Sequence, residues 1–301
     1  MTFMQDPALR VPQPGLVWAD WSTRASFSHP LSAERWKRSL EAETAAESNT
    51  AVLGMYAGLV GEHTGAADIY VSFGAGDGFL DSSLIPIVGS PPTYISVDIS
   101  AEMCRTACAN VSHLASSSSG VVTDFEGNLE FLSSVLHASA ARRPFVCCTS
   151  VLGNLDQAEF NFFQNLIRSV GPDAHVLLSF GTGTFGRPLD RSMLDSRFDW
   201  ESLAGLLSCG VAMHTGEDVL LVERDIGRRL NVRPSRTDVP LTESVELWDD
   251  VSGLGLMHFR RYELPVFVDW VRQTFPVDVL GSSQLPFSNS GLSVACVLLR
   301  T

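Results

Sequence analysis

Apolar and polar positions along the chain change rhythm three times. Residues 1–30 are rich in Pro, Trp and Ser and show no periodicity. They predict an irregular arm, with Trp18 and Trp21 placed to anchor it to the body or to cover a pocket. Leu31 to about Ser48 reads as a charged helix capped by Ser32, with Glu34 and Glu41 on a solvated face. Thr50 opens a more apolar helix that runs through Val60 and ends near Gly61. From residue 69 short apolar runs (69–73, 94–97, 120–123, 144–149, 174–180) alternate with helical patterns near 78–88, 101–110, 127–138 and 157–170. Strands separated by helices predict an α/β fold of Rossmann-like type, a doubly wound parallel sheet with right-handed crossovers. Ser116–Ser119 reads as an exposed low-complexity loop.

After Phe180 the pattern changes again. Phe185–Ser196 is loop-like and Trp200–Leu207 helical. Val219–Arg224, Ser244–Trp248 and Leu256–Tyr262 read as β segments of an antiparallel elaboration after the fifth strand. Leu264–Phe275 is helical, and Val277–Leu280 with Leu292–Leu299 would close the sheet as an antiparallel pair. Three regions follow: an N-terminal arm with helices (1–66), a ligand-binding core (67–183), and a recognition elaboration with the closing strands (184–301).

The richest segment for chemistry is Ile-Tyr-Val-Ser-Phe-Gly-Ala-Gly-Asp-Gly, residues 69–78. Its apolar run breaks at Gly74, Gly76 and Gly78, as a buried strand does where backbone meets a ligand closely. The next strand ends at Asp98, 22 residues past Gly76 and in position to accept from ribose hydroxyls. Asp124 and Phe125 follow the third strand, where an adenine ring can be hydrogen-bonded and stacked. The fourth strand leads through Ser150 and Val151 to Asn154, facing the reacting centre of such a fold. Steps of 22, 26 and 30 residues from Gly76 through Asp98 and Asp124 to Asn154 are one strand–helix unit each. A dinucleotide site would want glycine three positions after Gly76, where Phe79 stands. The loop instead suits a smaller ligand with an adenosine and an amino-acid end.

Charge and composition narrow the partners. The chain has 301 residues, room for one large core, and a formal net charge of −13. That charge argues against a nucleic-acid backbone partner. No apolar stretch approaches the roughly 20 residues that span a bilayer, and no signal segment opens the chain. Six cysteines without a CxxC pair read as reduced and buried, giving no metal site and a cytoplasmic expectation. A small-molecule acceptor is the expected partner, with a homo-oligomer left open.

These motifs resemble the class I S-adenosylmethionine-dependent methyltransferases over about residues 65–180, and more loosely over 256–301. Val97-Asp-Ile-Ser-Ala-Glu102 and Ser150-Val-Leu-Gly-Asn154 look closer to the histidine-specific methyltransferase family. The resemblance implies S-adenosylmethionine as cofactor and S-adenosylhomocysteine as product. Gly74, Gly76 and Gly78 would hold its methionine end, Asp98 the ribose, and Asp124 with Phe125 the adenine, with Phe73, Asp77, Ile99, Ser150 and Val151 as further cofactor-binding residues. Asn154 matches the family residue that contacts the substrate amine. In that family an acid stands two residues before the first glycine; here it is Ser72, with Asp77 as a substitute. The family's imidazole-reading element has no counterpart in Leu256–Tyr262, which argues against histidine as acceptor. The resemblance implies transfer of a methyl group to a small molecule, such as the nitrogen of an amino acid or related amine in secondary metabolism. Tyr56, Glu246, His258, Arg260 and Tyr262 are the acceptor-binding candidates. Two other readings are a nicotinamide-dependent oxidoreductase on the same fold and a non-catalytic methyltransferase-like subunit.

Overall fold

The apolar runs of the middle third become parallel strands: β2 (Ile69–Phe73), β3 (Thr93–Asp98), β4 (Ser117–Val122), β5 (Pro144–Cys148) and β6 (His175–Gly183). The structure is a computed structural model; it describes residues 2–9, 22–41, 43–127, 129–138, 143–149, 151–183, 200–235, 237–286 and 292–301. β2 and β5 are buried at every position, which is why they read as unbroken apolar runs rather than alternations. The order β4-β3-β2-β5-β6 continues through an antiparallel pair, β10 (Asp278–Pro286) and β11 (Leu292–Arg300), with β11 against β6 along its length.

Helices cover both faces. On one side α3 (Glu43–His63), α4 (Phe79–Leu84) and α5 (Ala101–Val111) bury Tyr56, Val60, Leu84 and Val111 against Tyr70, Tyr94 and Phe145. On the other, α6 (Glu130–Ala138), α7 (Glu159–Val170) and α10 (Leu264–Thr274) bury Phe162, Phe163 and Phe267 against Val71, Val97 and Val146. The strand tips that carry the glycine loop, Asp98 and Asp124 therefore converge at one end of the sheet.

Five segments depart from the sequence reading, one of them the second helix, which begins at Glu43 as α3 rather than at Thr50. The N-terminal arm is not wholly irregular: β1 (Thr2–Gln5) pairs in parallel with residues 119–122 of β4, and α1 (Thr23–Ser28) is a helix. Trp18 and Trp21 lie outside the described residues. The serine run is the start of β4 rather than a loop, held between β3 and β1. Val219–Arg224 belongs to a helix, α9 (Val219–Arg229), whose buried Val219, Val222 and Ile226 recur at helical spacing. Asp218 starts it by accepting from Leu220 N and Leu221 N at 2.8 and 3.4 Å. Last, helix α8 (Trp200–Thr215) extends well past the expected end at 207.

The remaining elaboration is the antiparallel β7 (Leu230–Pro234), β8 (Glu243–Asp249) and β9 (Leu254–Arg261), joined to β6 by one bridge, Gly181 to Arg261. Among the described residues no helix is long and apolar enough to cross a membrane. All six cysteines are free and buried, and no group of described side chains could hold a metal ion.

Candidate active site

β2 ends in a loop whose glycines do what other residues could not. Gly74 and Gly76 have φ of +59° and +55°, in the left-handed region. A Cβ on Gly76 would lie 2.8 Å from Trp36 Nε1, and one on Gly74 3.3 Å from Val151 Cγ2. The loop therefore lies flat under Trp36, which belongs to α2 (Ser32–Glu41). Above it opens a cavity of about 710 Å³, counted with the solvent at its mouth. Its walls include Gly74, Gly76, Asp98, Ile99, Asp124, Phe125, Val151 and Asn154, eight of the residues singled out from sequence.

Asp98 is 7% exposed and turned into this cavity, with Oδ1 accepting from Ser100 N at 2.8 Å. Burial pushes its carboxyl up to about 7, against the pull of the Ser100 and Ile99 N–H groups. Asp124 takes Glu126 N on Oδ1 at 3.1 Å and Arg24 Nη1 on Oδ2 at 2.6 Å. Phe125 packs edge-on against Phe73, centroids 5.7 Å apart, and so is fixed from behind. Asn154 closes a 3-10 turn (Leu152–Asn154), its N–H on Val151 O at 3.0 Å.

Several candidates stand elsewhere. Phe73 is core, Gly78 packs on Ala107, and Asp77 caps α4 by accepting from Phe79 N; none lines the cavity. Ser150 lies outside the described residues. Tyr56 is buried in the helical layer on the α3 face, its hydroxyl raised far above the usual tyrosine range by burial. It is a packing residue, because the helical spacing of Tyr56, Leu59 and Val60 turns it inward. Tyr262 is also fully buried. Its hydroxyl lies 3.0 Å from Leu152 O and 2.8 Å from Glu159 Oε1, so it reaches the site only by bracing the turn that carries Asn154. Arg260 is buried beside Glu159, Nε 3.4 Å from Oε1. It sits in that buried pair and does not line the cavity. Glu246 and His258 face each other across β8 and β9, His258 Nε2 3.7 Å from Glu246 Oε1, behind α1 and off the cavity wall.

Other site residues escaped the sequence reading. Thr23, Arg24, Phe27 and Trp36 bring the N-terminal segment to the cavity, and Met103, Glu126, Thr149 and Leu155 complete its walls. Glu126 Oε2 accepts from Asp156 N and Gln157 N at 2.8 and 3.0 Å, tying the β4 loop to the β5 loop. Burial and neighbouring Asp156 raise its pKa. The acid missing at Ser72 has a counterpart out of sight in Asp81, 1% exposed on α4. It accepts from Tyr70 and Ser72 hydroxyls at 3.0 Å each and from Tyr94 at 2.6 Å. No spacing rule would have found it.

Residues 44–186 match the model of the histidine-specific, SAM-dependent methyltransferases. The chain is an S-adenosylmethionine-dependent methyltransferase. The nicotinamide reading falls with that match. Solved structures resemble this methyltransferase at low identity. The PH0226 protein from Pyrococcus horikoshii OT3 is 14% identical at a TM-score of 0.44, over 87% of this chain and 93% of that one. The glycopeptide N-methyltransferase MtfA, complexed with S-adenosylmethionine, is 12% identical at 0.42, over 81% and 92%. A SAM-dependent methyltransferase from Thiobacillus denitrificans, in complex with S-adenosylhomocysteine, is 9% identical at 0.44, over 83% and 90%. No curated relative matches in sequence.

The cavity fits that cofactor on its own chemistry. A flat glycine turn, a buried carboxylate for hydroxyl donors and an aromatic beside a second carboxylate stand on one wall. When bound, the sulfonium supplies an electrophilic methyl group. The chain's own residues hold, orient and exclude water, which is where most of the acceleration of such a transfer arises.

Proposed function

We propose that this methyltransferase acts on a small molecule, transferring the methyl group to the nitrogen of an amino acid or related amine. The observation that carries this is Asn154, which shares one cavity with the glycine loop and Asp98. An amine attacks only as its neutral form. A side-chain amide can orient that form without stabilising the ammonium, as a carboxylate would. Among the described residues the charged lining is Arg24 with Asp98, Asp124 and Glu126, and Arg24 is paired with Asp124, which favours a related amine or an amino acid with its carboxylate blocked. The matched family segment ends at residue 186, and α8, α9 and β7–β9 lie beyond it. This supports an acceptor other than histidine, since such elaborations carry acceptor choice.

In this reading Gly74 and Gly76 receive the methionine end, Asp98 and Ile99 the ribose, and Asp124, Phe125 and Val151 the adenine side. The partner is the small molecule itself, with neither nucleic acid nor membrane, in the cytoplasm. The test is a methyl-labelled donor incubated with the protein and a deproteinised metabolite extract. Mass spectrometry is expected to find a labelled amine of low molecular weight. Label confined to protein or nucleic acid, or to oxygen or carbon, would sink the proposal.

A further inference from the structure

Three consecutive residues stitch α1 across the cavity. Asp156 Oδ1 accepts from Thr23 N at 2.6 Å, and Oδ2 from Arg24 N at 2.9 Å and Arg24 Nε at 3.1 Å. The same guanidinium donates through Nη1 to Asp124 Oδ2 at 2.6 Å. Ser22 Oγ donates to Glu246 Oε1 at 2.8 Å, and His258 N to Thr23 Oγ1 at 3.1 Å. Arg24 is therefore a bridge between the loop after β4 and the loop after β5, its side chain 8% exposed. Thr23, Arg24 and Phe27 line the cavity directly, and Phe27 meets Trp36 edge-on at 5.8 Å.

A six-residue helix has no stability of its own in water. α1 stays in place through these bonds and its packing on α8 and β9. It is thus a wall of the cavity held by tertiary contacts rather than by its own turns, and among its residues Arg24 touches both cofactor-side loops.

We propose that α1 is a latch over the cofactor cavity and that Arg24 is its bolt, a positioning residue that also keeps Asp124 aimed at the adenine amino group. The inference rests on reading the cavity as the S-adenosylmethionine site. Arg suits the task because its planar fork can hold two carboxylates at once, where Lys offers a point charge. Removing the guanidinium leaves Asp124, Glu126 and Asp156 close together with that cation gone, which drives the wall outward. Bound ligand then escapes without waiting for the latch.

The test uses the full chain with S-adenosylhomocysteine and its hypoxanthine analogue, which lacks the 6-amino donor. Dissociation rates by stopped flow are compared for wild type, Arg24→Ala and Arg24→Lys, with Asp98→Ala as the site control. Arg24→Ala is expected to speed release of S-adenosylhomocysteine about tenfold or more, with Arg24→Lys between the two. It is also expected to shrink the preference for adenine over hypoxanthine and to speed amide exchange in residues 23–28 without changing β2–β6. Where Arg24→Ala does not fold, Arg24→Lys carries the test with the same outcomes. Release within about twofold of wild type in both variants, with binding clearly weakened in Asp98→Ala, overturns the latch and leaves the site standing. Failure of wild type to bind S-adenosylhomocysteine overturns the site reading and the latch with it.

Discussion

The two ends of the sheet treat buried charge in opposite ways. In the β7–β9 elaboration, charge is neutralised pair by pair. Arg229 donates to both oxygens of Asp249 at 2.9 and 2.7 Å, and its outer nitrogens also reach Glu217 at 3.1 and 3.2 Å. Arg261 pairs with Glu243 beside it. At the tips of β3 and β4 the carboxylates of Asp98 and Asp124 accept from backbone N–H groups and line the cavity, with Asp124 alone also paired, to Arg24. The first arrangement fixes a fold. The second keeps hydrogen-bonding capacity for something that arrives later.

Substitutions at the two ends should therefore separate stability from binding. The largest effect is expected from Arg229→Ala, which strands the fully buried Asp249 carboxylate. Denaturant unfolding should show a loss of about 3–5 kcal/mol. Affinity for S-adenosylhomocysteine in the surviving folded protein should hold. Asp98→Ala should do the reverse: calorimetry is expected to find affinity down by about 2–3 kcal/mol with the melting temperature kept or raised. Next comes Asn154→Ala, expected to cost about 1–2 kcal/mol in kcat, with cofactor affinity nearly unchanged. A matching fall in cofactor affinity would move Asn154 from the acceptor side to the cofactor side.

A last comparison lies in the pH dependence of stability. Burial raises the Asp98 carboxyl to about 7 and that of Asp81 to about 6. Folded protein thus holds these protons more tightly than the unfolded chain, whose aspartates titrate near 4. The stability this gives is full below about pH 4 and fades as pH rises through 6 for Asp81 and 7 for Asp98. Asp98→Asn should flatten the upper part of that fall, and Asp81→Asn the lower. Thermal melts of the ligand-free variants from pH 4 to 8 would check the order.

The parallel half was legible because each strand is a contiguous apolar run and each tip residue sits one strand–helix unit from the last. The N-terminal half of the site was not. Arg24 meets Asp124 and Asp156 across 100 and 132 residues, and nothing local marks such a partner. β1 eluded the pattern because its mostly exposed edge shows no apolar alternation. The serines of β4 misled in the same way: Gly120 and its neighbours pack close against Phe3 and Cys104, where small residues are needed and apolar ones are not. Val-Leu-Leu-Val at 219–222 reads as strand on residue preference, yet Asp218 ahead of it was a helix start in plain sight. Tyr56 and Tyr262 failed as site residues for one reason: aromatic residues with a polar tip are as useful inside a core as in a pocket.

The buried acid on the helix also constrains what position 72 can hold. With Ser72 giving its hydroxyl to Asp81 in a space sealed from water, Ser72→Asp would set two carboxyl groups side by side with one proton to share. An acid at position 72 is therefore not accommodated while Asp81 stands. Asp81 would have to leave first, taking with it the acceptor for Tyr70 and Tyr94. Positions 72 and 81 thus change together or not at all.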